Sequence, residues 1–350
     1  MAAPLGPGPH TAPKLPCQLG LEPLGGRIPA KLPAPIALIP LRSPLDAQRP
    51  TAIALGSFDG LHRGHRRVIE AIASGGPSGQ AVPTVVSFWP HPREVLYGDT
   101  RLRLDLPEEK LELLAPLGIR QLVLVPFNRQ LAALSPESFV EQVLVGQLQA
   151  SCIAVGDNFR FGAGRSGDSA ALARIAAGLG VRVSVLPMLW DGAERVSSSR
   201  IRRALAAADL GEAKRLLQRP YAFSGLVVQG RGLGRQLGWP TANLQVDGRK
   251  FLPQEGVYAA WAWVGAQRWA AVMNLGPQPT VDPTAPSSVE VHLLNFQQQL
   301  LGESLRVEPL AWIRSQQRFQ NVQALSDQIG RDAELARQIC QSQAELEQAD

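Results

Sequence analysis

Residues 51–65 read TAIALGSFDGLHRGH, and this stretch decides the fold of the first half of the chain. Thr51 to Gly56 is a short apolar run closed by glycine, the pattern of a buried strand. A polar turn with Gly56, Gly60 and Gly64 follows, and a helix is expected from Arg66 to Ala73. In a parallel sheet such a turn lies at the carboxyl edge, where ligands bind. The helix start offers free N–H groups and the positive end of its dipole to a phosphate. His62 and His65 are three apart, so both reach one side of that helix start. One histidine there is more often structural; two, with three glycines, point to phosphate binding.

Outward from this turn the text alternates between two periods. Thr84 to Phe88, Gln121 to Val125, Cys152 to Gly156 and Val181 to Pro187 read as strands. Between them, helices are expected at Ser135 to Leu148 (Ser135 as N-cap, Pro136 at the first position), Ser169 to Leu179 and Ser199 to Ala208. Strands separated by helices predict a Rossmann-like α/β domain with a parallel sheet and right-handed crossovers. After Pro220 the style changes to short β runs parted by turn residues: Phe223 to Val228, Gly256 to Val264, Arg268 to Asn274, Val289 to Phe296 and Ser304 to Ile313. These predict an antiparallel β-barrel or sandwich. An amphipathic helix over Val322 to Gln341 follows, with Val322, Leu325, Ile329, Ala336 and Ile339 near one face.

Twelve of the 29 prolines fall in the first 50 residues. Residues 1–35 are expected to form a disordered Pro/Gly-rich extension, with neither a secretory-signal nor a transit-peptide pattern. The expected domains are residues 36–218 and 221–346. The chain carries a net charge of +5, but its lysines (Lys14, Lys31, Lys110, Lys214, Lys250) are scattered, and arginine dominates. Arginine suits bidentate phosphate contacts, so anionic small molecules are favoured as ligands over nucleic acid, and no membrane partner is expected. Cys17, Cys152 and Cys340 are odd in number and far apart, which implies neither a disulfide framework nor a zinc site and fits a reducing cytoplasm. A homo-oligomer is left open.

A second constellation is GRGLGRQLGWPTANL, Gly230 to Leu244. Its glycines, Gly230, Gly232, Gly234 and Gly238, make a loop whose amides could wrap a phosphate. No Gly-Lys-Ser/Thr occurs, so a P-loop kinase is excluded. Thr241 and Asn243 are two apart, so on an extended segment they point to one side. Both offer the oxygen donors that suit Mg²⁺ beside substrate phosphates. A glycine-rich hairpin with a Thr–Asn turn is the competing reading of this stretch taken alone.

The motifs together resemble the prokaryotic bifunctional riboflavin kinase/FMN adenylyltransferase (FAD synthetase) family. Gly-x-Phe-Asp-Gly-x-His-x-Gly-His at Gly56 to His65 carries the resemblance, with FWPHP (Phe88 to Pro92), GDNFRFG (Gly156 to Gly162) and RVSSSRIR (Arg195 to Arg202). In the second half GRxLGxPTAN is joined by GVYA (Gly256 to Ala259), NLGPQPTV (Asn274 to Val281), EVHLLNF (Glu290 to Phe296) and IRSQQRF (Ile313 to Phe319). The resemblance implies a nucleotidyltransferase domain followed by a Greek-key kinase barrel with a terminal helix. It implies ATP, Mg²⁺, riboflavin, FMN and FAD as substrates, products and metal. His62, His65, Asn158, Arg195, Ser198, Ser199 and Arg202 would hold the ATP phosphates and the transition state, with Gly56, Phe58, Asp59 and Gly64 lining the same site. Phe58, Phe159 and Phe161 are candidates for stacking on flavin or adenine, with core packing the stronger reading for at least one of them. Glu290 would be the kinase base, Thr241 and Asn243 the metal ligands, and Gly230, Gly232, Gly234, Arg235 and Asn295 nucleotide or flavin contacts.

Some positions depart from the family pattern: Ser57 for Asn, Ser199 for Thr, Gln278 for Arg, Asn295 for Asp and Leu301 for Tyr. Three other readings compete. A class I aminoacyl-tRNA synthetase shares His-x-x-Gly-His but needs a Lys-Met-Ser-Lys-Ser-like loop, which is missing. A monofunctional adenylyltransferase with a degenerate kinase half conflicts with intact Thr241, Asn243 and Glu290. A binding protein without catalysis conflicts with retention of both residue sets.

Overall fold

A computed structural model describes residues 41–76, 79–99, 102–230, 232–276 and 289–349. The expected extension, and Gln278 with most of NLGPQPTV, lie outside the described residues. Residues 36–350 belong to one compact unit.

The first half is built on strands β1 (Thr51–Leu55), β2 (Val82–Trp89), β3 (Gln121–Pro126) and β4 (Ala150–Gly156). Two short strands, β5 (Arg160–Phe161) and β6 (Gly167–Asp168), form a separate pair, and β7 (Arg182–Leu186) returns to the main sheet. That sheet is parallel, in the order β3-β2-β1-β4-β7. All five residues of β1 are buried, as expected for a central strand covered on both faces. The chain leaves β1 toward β2 on one side and later places β4 on the other, so the topological switch lies between β1 and β4. The register pairs Ala54 with Ala154, so the loops after the two strands emerge side by side.

Helices α1 (Arg63–Glu70), α2 (Pro92–Tyr97), α3 (Pro107–Leu114), α4 (Arg129–Ala132), α5 (Pro136–Phe139) and α6 (Ser169–Gly178) lie around this sheet, while α7 (Ser198–Ala206) and α8 (Leu210–Leu217) bury Ile201, Leu205, Leu216 and Leu217 in the core that the barrel residues Phe223 and Tyr258 share. Helix α1 starts three residues before the sequence pattern places it, because the His62 side chain caps it by accepting the His65 N–H. Ser135 caps α5 as expected, but the chain then continues as a π-helix over Val140–Gln147. Its wide turns leave Val140, Val143, Leu144 and Leu148 all buried, so packing on the sheet overrides the ordinary helical repeat.

The second half is a closed barrel in the order β10-β11-β14-β13-β12-β15. A small hairpin, β8 (Trp190–Asp191) and β9 (Glu194–Arg195), precedes it. The barrel strands are β10 (Phe223–Val228), β11 (Ala242–Gln245), β12 (Gly256–Val264), β13 (Gln267–Leu275), β14 (Val289–Leu293) and β15 (Ser304–Arg314), all pairing antiparallel. Closure removes the free edges that an open antiparallel sheet would expose. Phe223, Tyr258, Met273 and Val291 fill the interior. A short helix, α9 (Leu233–Gln236), lies in the glycine-rich loop, and α10 (Val322–Ala349) packs outside with Ala333, Ala336 and Cys340 buried. Val322, expected on the buried face, is exposed; the packed stripe begins deeper in the helix. Among the described residues no helix is long and apolar enough to cross a membrane.

Candidate active sites

The turn after β1 places His62 and His65 as stacked rings, 3.6 Å between centroids and 19° apart in plane. His62 Nδ1 accepts the His65 backbone N–H at 3.3 Å, which leaves the proton of a neutral His62 on Nε2. Burial lowers the His62 pKa to about 4 despite the nearby Asp59, with Arg195 adding to the decrease. His65 is held well below its ordinary value by burial, with His62 and Lys110 beside it. Both rings are therefore neutral N–H donors at pH 7.

Beneath the turn lies a group of charges. Asp59 Oδ1 accepts the N–H groups of Leu104 (2.9 Å) and Asp105 (3.4 Å), and Oδ2 pairs with Arg202. Burial opposes ionisation of Asp59, but Arg202, Lys110 and Arg103 outweigh it and hold the pKa below normal. Lys110 Nζ donates to Ser57 O at 3.0 Å, and Arg219 donates to Gly60 O (3.2 Å) and pairs with Asp105 at 2.8 Å. Each of these contacts fixes the turn from behind. Of the residues expected at the site, Asp59 faces inward, and Arg202 is engaged with it and with Leu102 O (3.0 Å). Phe58, one of the stacking candidates, takes the core-packing alternative. It is 3 % exposed, packed in the core and edge-on to His65 at 5.4 Å. Phe161 is likewise buried, with the half-buried Phe159 stacked on it.

Ser198, in the first turn of α7, donates its hydroxyl to Asp59 O at 2.7 Å, joining that helix start to the histidine turn. Ser199 and Arg195 beside it are exposed, as is Asn158 on the loop after β4. Gly64 packs so closely on His62 that a Cβ would lie 3.3 Å from the imidazole. Gly56 ends β1 at the sheet edge, where its N–H donates to Val86 O. The sequence motifs reached most of this cluster. They missed Lys110, Arg103, Asp105 and Arg219, whose contacts are long-range and leave no fixed spacing; the one available signal was a lysine inside an otherwise core-forming helix, α3.

In the barrel, Asn243, Glu290 and Asn274 stand in one cross-strand row, since Glu290 pairs with Asn243 on one side and Asn274 on the other. All three line a cavity of about 410 Å³ with Gly232, Gly234 and Thr241. His292 also lines it, its Nδ1 2.7 Å from Pro240 O, and Arg314 enters with hydrogen bonds to buried Asp332 at 2.7, 3.0 and 3.1 Å. A Cβ on Gly230 would lie 2.0 Å from Asn243 Nδ2, and one on Gly234 2.4 Å from Trp239 O and 3.2 Å from Thr241 Oγ1. Only glycine lets this loop close over those two side chains. Arg235 is exposed and is not among the residues lining the cavity. Asn295, expected to contact nucleotide or flavin, occupies an exposed turn beyond β14 at φ 59°, at the opposite end of that strand from Glu290. Asparagine tolerates this left-handed conformation, which accounts for it structurally.

Two family models match the chain in the order of its two halves: FAD synthetase over residues 45–200 and riboflavin kinase over 217–340. The bifunctional riboflavin kinase/FMN adenylyltransferase of Escherichia coli K12 is 38% identical over 81% of this chain and 91% of its own length. The chain belongs to the bifunctional riboflavin kinase/FMN adenylyltransferase family. The enzyme of that name from Pseudomonas fluorescens is 37% identical over the same shares of each chain. A crystal structure of a Streptococcus pneumoniae protein described as a macrolide-efflux protein superimposes with a TM-score of 0.75 at 29% identity, covering 85% of this chain and 98% of that one. The members of this family are transferases, and here the FAD synthetase module holds the histidine turn while the riboflavin kinase module holds the barrel cavity.

Proposed function

We propose that residues 36–218 adenylylate FMN at the histidine turn and that residues 221–346 phosphorylate riboflavin in the barrel cavity, each with ATP. The observation that carries the first half is the pair of neutral, stacked histidines at a helix start on the switch point of a parallel sheet. The FMN phosphate attacks the ATP α-phosphorus and pyrophosphate leaves. That nucleophile is already anionic, so no general base is required. His62 and His65 offer N–H groups, the α7 start adds Ser198 and Ser199, and Arg195 and Asn158 stand exposed at the rim, where they meet the triphosphate.

In the cavity, the riboflavin 5′-hydroxyl is a poor nucleophile and Glu290 takes its proton as the oxygen attacks the ATP γ-phosphorus; ADP leaves. Mg²⁺ fits the residues present. Thr241 and Asn243 offer hard oxygen donors, and the bare Cα of Gly230 leaves the Asn243 amide its space. Mg²⁺ would neutralise charge on the transferred phosphoryl group. Small phosphorylated ligands, rather than nucleic acid or a membrane, are the partners this chemistry takes. The free thiols of buried Cys152 and Cys340 are consistent with a reducing cytoplasm.

The test is chromatography of the purified chain incubated with riboflavin, ATP and Mg²⁺. FMN should grow first and FAD follow it. FAD from supplied FMN, with no FMN from riboflavin, would remove the kinase assignment; no product from either flavin would remove both.

A further inference from the structure

We propose that Lys250, which belongs to the kinase half, is a positioning residue for adenylyl transfer in the other half. The proposal rests on the assignment of that reaction to the histidine turn. The Lys250 ammonium is 1 % exposed and reaches out of the barrel domain into the first: Nζ lies 2.6 Å from Glu109 Oε2 and donates to Leu104 O at 2.7 Å. The flanking backbone makes the same crossing. Arg103 N–H donates to Arg249 O at 2.6 Å, and Phe251 N–H donates to Arg103 O at 2.7 Å. Residues 249–251 thus pair with the segment around Arg103 as a short parallel bridge.

What that segment does on its other side gives the contact its consequence. The Leu104 peptide is held at both ends. Its C=O accepts from Lys250, with the Tyr221 hydroxyl at 3.3 Å, and its N–H donates to Asp59. Leu102 O accepts from Arg202, the same guanidinium that pairs with Asp59. A second route runs through α3. Lys250 holds Glu109, and the adjacent Lys110 donates to Ser57 O in the turn itself. Both routes end within five residues of His62. The FAD-forming site therefore takes part of its scaffold from the kinase half, and Lys250 holds both routes. It touches no reacting group; it acts by fixing where Asp59 and Ser57 hold the turn.

The experiment uses the full chain, with FMN-to-FAD and riboflavin-to-FMN conversion measured separately. In Lys250→Met, kcat for FAD formation should fall about tenfold to a hundredfold, the loss expected for a small displacement of a catalytic group. KM for ATP and FMN, and riboflavin phosphorylation, should change by no more than about twofold. Because Lys250→Met leaves Glu109 buried without its cation, Lys250→Met/Glu109→Gln is made in parallel to restore folding stability. Adenylyl transfer should remain low in that double variant, since the Leu104 carbonyl has lost its ammonium donor and keeps only the longer contact with the Tyr221 hydroxyl. Full recovery of kcat with recovered Tm would overturn the proposal, as would unchanged FAD formation in the single variant or an equal loss of both activities. A wild-type chain that makes no FAD from FMN overturns the site assignment beneath the proposal and the proposal with it.

Discussion

The two sites hold their functional groups by opposite means. At the histidine turn the charged groups are paired inside the protein: Asp59 with Arg202, Asp105 with Arg219, Glu109 with Lys250, and Lys110 with a backbone carbonyl. In the barrel, Asn243, Glu290 and Asn274 are half-buried and line a cavity, placed by strand register instead of by ion pairs. The difference follows the chemistry. Adenylyl transfer to an anionic phosphate asks mainly for donors fixed in position before the substrate arrives. Phosphorylation of a hydroxyl also needs a base that can approach the substrate, the role proposed for Glu290 in the cross-strand row.

The largest expected effect tests the barrel. Glu290→Ala should slow FMN formation by about a hundredfold to ten-thousandfold, the range for loss of a general base, while FAD formation from supplied FMN is kept. The reciprocal variant, His62→Ala, removes one preorganised donor and should cost FAD formation about a hundredfold to a thousandfold with FMN formation intact. Product chromatography reads both. Loss of both activities in either folded variant would erase the distinction between the sites.

A smaller effect sharpens the contrast in how geometry is maintained. Gly230→Ala introduces a Cβ 2.0 Å from the Asn243 amide, so that side chain must move from its place in the row. Riboflavin phosphorylation should fall about tenfold, the size of effect that follows from losing one well-placed contact, with a weaker response to Mg²⁺ titration. FAD formation should not change. A kinase rate equal to wild type would mean that Asn243 does not need its observed position.

The same contrast explains what the sequence revealed. The barrel site is local in sequence terms. Thr241 and Asn243 lie in one strand-forming stretch, and period-two alternation puts them on one face; Glu290 was marked only by the family resemblance, and Asn274, on a third strand, was not singled out. The parallel sheet and the histidine turn were readable for a similar reason, since glycine and helix-start chemistry are written in consecutive residues; the strand order that sets the switch point was not. The supports behind the turn were not. Asp59 to Leu104, Lys110 to Ser57 and Lys250 to Glu109 join residues 45 to 141 apart, and nothing in the local pattern fixes such pairs. The early start of α1 was hidden because histidine is not a usual cap, and the π-helix after Phe139 because burial on the sheet dictates it. Phe58 and Asn295 were assigned by motif position; burial and a turn conformation decide their places.

The smallest effect concerns acid, and it probes the closed character of the turn in the ligand-free protein. His62 titrates near 4 when folded and near 6.5 when unfolded. Between these values the unfolded chain binds a proton that the folded chain refuses, so stability falls as pH drops through 6.5 and continues to fall until about 4. Above 6.5 the group contributes no slope. At pH 5 the loss from His62 amounts to about 2 kcal/mol relative to pH 7. His65 adds a loss of the same sign, because its folded pKa is also depressed by burial. His62→Gln keeps a neutral polar group and removes one of the two titrations. Urea unfolding at pH 7 and pH 5 should therefore show a stability decrease in the variant that is smaller than in wild type by about 2 kcal/mol. Parallel decreases would mean that solvent reaches the imidazole, and the histidine turn would then resemble the open barrel site more than its opposite.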